Sequence, residues 1–180
     1  MHLNTVSYSD IQGLQVHDQM FTYAEAYRNA AAIHCQHMIK DAASCTWPNA
    51  SAVLMLTAHA VELFLKGAIL KRSPNANVWD HQHSIDDLVA AYKAQFPESS
   101  FEWDIPFKGG DGYPDTFTVE QIKKIEELKK KIRCPSILYR YPVDKEGKEW
   151  RAMLGFEPRG FLSLLEQVET DFERIRSQLK

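Results

Sequence analysis

Three ionisable residues on one apolar stretch are the first chemistry this chain offers. Within Asn49 to Arg72, NASAVLMLTAHAVELFLKGAILKR, residues His59, Glu62 and Lys66 stand three and then four apart and continue a stripe begun by Met55. On a helix all four share one face. A carboxylate and an ammonium one turn apart form an ion pair. An imidazole beside them can move a proton near neutral pH. If the pair is exposed it contributes a few tenths of a kcal/mol at most. If it is buried it needs satisfied partners, because unpaired buried charge is expensive. His59, Arg140 and Tyr141 are the candidates for those partners.

Other reactive residues make weaker patterns. His34, His37 and Asp41 are spaced to present three ligands on one helix face, and His81 and His83 make a second pair. Imidazole and carboxylate suit zinc or similar ions. Nothing around these residues would orient the rings, so no metal or other cofactor is expected. Cys35, Cys45 and Cys134 are odd in number, widely spaced and without a Cys-x-x-Cys pair. That pattern favours free thiols in a reducing cytosol. The glycines at 109, 110 and 112 lack the strand before and the Gly-Lys-Ser/Thr after that a phosphate loop needs, so they read as a flexible loop. No serine or cysteine nucleophile has a recognisable elbow or partner.

The elements that must position these groups follow from periodicity. The chain has 180 residues and a net charge of −3. That length suits one domain, and the charge offers no general basic field for nucleic acid. Residues 1–15 are polar and aperiodic and read as an arm. They lack the basic and apolar regions of a signal peptide. Residues 16–180 read as one all-α domain. A first helix runs from Val16 to Ala43, with Tyr23, Tyr27, Ala30, His34 and Met38 on one face. The central helix is apolar nearly all round, the mark of burial on most sides. Its charges at mid-span argue against a membrane crossing. Ser84 caps a third helix, and Thr118 with Gln121 forms a capping box for a fourth that ends near Arg133. Between them lies a long connection over 97–117. Residues 137–141 and 149–153 flank a turn and admit a small β-hairpin. A last helix starts near Pro158. Its seam of Phe161, Leu165, Val168, Phe172, Ile175 and Leu179 packs along a neighbour, inside the fold or across a dimer.

At this point the chain resembles a known family. The pattern Ala52-x-x-x-Leu56-x-x-x-Ala60-x-Glu62-Leu63-x-Leu65-Lys66 is followed by His83-Ser84-Ile85-x-x-Leu88, and later by Leu138-Tyr139-Arg140-Tyr141-Pro142. This order is similar to that of HEPN domains (higher eukaryotes and prokaryotes nucleotide-binding) over roughly residues 16–180. The resemblance implies an up-and-down bundle of four to five helices, often a homodimer. It implies either a module that binds a nucleotide, RNA or a protein such as a nucleotidyltransferase or antitoxin, or a metal-independent endoribonuclease of toxin–antitoxin and defence systems. The ribonucleases carry Arg-x(4–6)-His, which here matches only Arg28 and His34. That pair lies earlier in the chain than the family motif does. Residues six apart on a helix also point about 120° from one another. The favoured expectation is therefore a cytosolic binding module with His59, Glu62, Lys66, His83, Arg140 and Tyr141 around its ligand. The alternative is a ribonuclease using Arg28 and His34. A polar network that only fixes helix packing would leave the same stripe.

Overall fold

The computed structural model describes residues 5–81, 83–109, 118–129, 134–143, 146–148 and 155–179. Among them the protein is all-α, with six α-helices and no strand: α1 Val16–Lys40, α2 Trp47–Arg72, α3 Ile85–Gln95, α4 Val119–Lys129, α5 Pro135–Leu138 and α6 Pro158–Gln178.

α2 is the centre because its sequence leaves it no polar side. It is long and apolar enough to cross a membrane, but 78% of its most apolar window is buried within the fold. α1 lies along it in the opposite direction. Phe21 and His17 meet Gly67, Tyr27 meets His59, and Cys35 and Met38 pack with Ala50 and Val53. Gly67 allows this approach, since a Cβ there would stand 2.9 Å from the Phe21 ring and 3.2 Å from the His17 carbonyl oxygen. α1 ends at Lys40, three residues short of the expected Ala43, because Asp41 turns extended and its carboxylate caps a 3-10 turn over Ala42–Ser44. Pro48 sits in the first turn of α2, where a missing N–H leaves no bond unmade.

α6 lies across both helices. Phe172 stacks on Phe64 at 3.8 Å, and Leu165, Val168 and Ile175 are buried beside it. The seam expected of this helix is thus used inside the chain. α3 covers the C-terminal half of α2, capped as expected by Ser84 Oγ accepting from the Asp87 N–H at 3.2 Å. The Thr118–Gln121 capping box is also formed, at 2.8 and 3.2 Å.

Two segments differ from expectation. The connection after α3 is pinned over residues 97–109. Phe101 and Ile105 enter the core and Trp103 sets its edge against Phe64 and Phe172. Tyr92 Oη donates to the Phe101 carbonyl at 2.9 Å, Arg174 donates to the carbonyls of Glu102 and Ser100, and the Gly109 N–H donates to Asp86 at 2.6 Å. Phe107 is held at φ 63°, a left-handed conformation uncommon for a side chain of its size. The remainder of the glycine cluster lies outside the described residues. The first arm of the supposed hairpin is also not extended. Pro135–Leu138 form α5, one helical turn started by Pro135 and held on α2 by the buried Ser136 and Leu138. The second arm, 149–153, lies outside the described residues.

Candidate functional site

The site grows from Glu62. Its side chain is 2% exposed, so its charge has lost almost all contact with water. Such burial costs several kcal/mol unless cations and donors replace the water. Lys66 Nζ, one turn on, lies 2.8 Å from Oε1. His83, from the connection before α3, places Nδ1 3.1 Å from Oε2 and 3.2 Å from Oε1. His59, one turn back, brings Nδ1 to 3.6 Å, an ion contact looser than a hydrogen bond. Burial by itself raises the Glu62 carboxyl. The contacts from His59, Lys66 and His83, with the charge on Lys66, outweigh it and hold the carboxyl at about 2.

That arrangement fixes the chemistry of His83. An ionised carboxylate only accepts hydrogen bonds, so Nδ1 carries the hydrogen and the ring presents Nε2 elsewhere. The His83 side chain is 40% exposed. Glu62 is therefore an orienting anion already occupied by Lys66 and the two imidazoles, and His83 is the group that can meet a ligand.

Aromatic rings border the network. The Trp79 ring is 60% exposed and lies 5.6 Å from Lys66 Nζ, within cation–π range. Tyr27 of α1 sets its ring edge-on to His59 at 4.9 Å. Cys134, the residue before α5, lies within electrostatic reach of Glu62. Its thiol is pushed up by burial and by the negative charges of Glu62, Asp87 and Asp86. On α5, Ser136 Oγ is buried with no hydrogen-bond partner among the described residues.

Of the residues picked from sequence, the structure brings together His59, Glu62, Lys66 and His83. Arg140 and Tyr141 follow α5 as exposed residues, and no hydrogen bond or ion pair links them to Glu62 among the described residues. Arg28 is buried between α1 and α6, where it pairs with Glu169 Oε1 at 2.5 Å and with Asn29. His34 lies half-buried beside His37, with ring centres 6.4 Å apart. Arg28 and His34 therefore serve different surroundings. Among the described residues no three His, Cys, Asp or Glu side chains are arranged so that they could hold a metal ion. Sequence reasoning missed Trp79, Tyr27 and Cys134 around the network. Only Trp79 carried a signal, standing beside two histidines in the connection before α3. Comparison with protein-family models, curated proteins and solved structures gave no match.

Proposed function

We propose that this chain is a HEPN-like helical module that binds a nucleotide or single-stranded RNA at the outer edge of the Glu62 network. The observation that carries this reading is a half-exposed imidazole, held through Nδ1 by a buried carboxylate, beside an exposed indole over the same carboxylate–lysine pair. An indole face stacks on any base, worth about 1–3 kcal/mol per base. A held imidazole offers a donor or acceptor to phosphate or ribose without ordering a flexible chain on binding.

The test is equilibrium binding of adenosine monophosphate and of a short oligouridylate, read by tryptophan fluorescence and by anisotropy. Trp79→Ala weakens binding by about 1–3 kcal/mol, and His83→Ala weakens it further without unfolding the chain. No saturable binding of either probe, or full affinity in both variants, sinks the reading. The ribonuclease alternative draws no support from Arg28, whose guanidinium is occupied by Glu169. Cleavage of RNA in excess chelator, abolished by His34→Ala, would restore it.

A further inference from the structure

The connection that follows α3 does not lie flush on it. Between residues 97–108 and the last turns of α3 lies a cavity of about 570 Å³. Small-ligand sites occupy about 300–1,000 Å³. The space is held open by anchors on its far side. Tyr92 Oη donates to the Phe101 carbonyl, Arg174 donates to the carbonyls of Ser100 and Glu102, and the Gly109 N–H donates to Asp86. Phe107, next to the mouth, keeps its left-handed backbone, a conformation that persists only where the surroundings over-determine it. A ligand entering such a cavity has little chain to order.

The lining selects the ligand. The wall is aromatic: Tyr92, Phe96 and Phe101 are buried, with successive ring centres 4.8 Å apart, and Trp103 continues the wall. Aromatic faces attract cations, and Phe96 already holds the Arg72 guanidinium 5.0 Å from its centre. Glu102 and Asp104 stand exposed at the mouth. Neither carboxylate makes a hydrogen bond or ion pair among the described residues. Lys93 and Lys108 border the same mouth, but both are already partnered. Phe96 and Pro97 also bring the C-terminal end of α3 to the cavity, the negative end of its dipole. We infer that this cavity binds an organic ammonium ion. Its ring system enters against Phe96 and Phe101, and its ammonium stays at the mouth beside Glu102 and Asp104. The apolar body then supplies the burial, and no charge has to leave water. The cavity shares no lining residue with the Glu62 network, so this inference is independent of the ligand reading.

The test titrates the full chain with probes that share one indole body: tryptamine, the neutral indole-3-ethanol and the anion indole-3-acetate. Binding is read from the indole N–H signals of nitrogen-labelled protein by two-dimensional NMR. The Trp103 signal is assigned by its absence from Trp103→Phe. Tryptamine is expected to move that signal saturably and to bind about tenfold more tightly than indole-3-ethanol, with indole-3-acetate weakest. Glu102→Gln combined with Asp104→Asn changes only exposed side chains, so the fold is kept. It weakens tryptamine about fivefold and leaves indole-3-ethanol unchanged. The proposal is overturned if tryptamine gives no saturable shift at Trp103. Equal affinity for all three probes also overturns it, since that describes an apolar cavity without selection for charge. So does a double variant that keeps the full preference for tryptamine. A shift confined to Trp79 would place the amine at the Glu62 network and overturn it as well.

Discussion

Glu62 is a carboxylate enclosed in apolar packing, and it stays ionised only because Lys66, His83 and His59 surround it. Removing its charge takes from the buried Lys66 ammonium the carboxylate 2.8 Å away, which costs about 3–5 kcal/mol. Glu62→Gln is expected to lower stability by that amount in urea unfolding. Replacing both members, as Glu62→Met with Lys66→Met, recovers most of the loss, because a well-packed apolar pair needs no solvation. Acid gives the same group a second signature. Its folded titration, at about 2, lies below the ordinary value of 4.5, so the unfolded chain takes up the proton first. The stability its charge contributes is complete above pH 4.5 and is lost as pH falls toward 2. The Glu62→Gln chain lacks this part of the acid dependence, so its urea midpoint falls less steeply through that window.

At the scale of elements, short-range signals were legible and long-range ones were not. Ser84 and the Thr118–Gln121 box could be read directly, because a cap involves only its own helix. The His59, Glu62 and Lys66 stripe was legible by the same rule of spacing. Cys134 was not, and Trp79 showed only through the histidines beside it, since what they meet is set by how separate helices dock. Ile137 to Tyr141 reads as a strand by its side chains. Pro135 nonetheless starts a helical turn, and burial of Ser136 and Leu138 against α2 holds it. Arg140 was thereby placed at the surface instead of at the carboxylate. Gly67 shows the packing at its tightest. Alanine there gains just under about 1 kcal/mol of helix propensity but drives a methyl into the Phe21 ring and the His17 backbone. A net loss of about 1–2 kcal/mol is expected in thermal or urea unfolding. An unchanged midpoint would mean that α1 and α2 slide apart easily.

Across the whole molecule, α2 touches α1, α3, α5 and α6, so its buried middle cannot open without parting several helices. Native-state amide exchange is expected to be slowest from Thr57 to Leu70 and to match the free energy of global unfolding there. The Tyr8–Asp10 turn, which contributes no buried side chain, exchanges by local opening. Equal protection in both regions would contradict this hierarchy. The candidate site spans both regimes, since Glu62 belongs to the slow core and His83 to the connection that leads into α3.

The Phe64–Phe172 stack also orders events during synthesis. Phe172 leaves the ribosome roughly a hundred residues after Phe64, a delay of about 5–20 s at ordinary elongation rates. For that interval the most apolar of the described helices has one flank open to solvent or to a chaperone. The nascent protein is therefore most prone to aggregate before its last helix arrives, and a stop codon ahead of Pro158 would make that interval permanent.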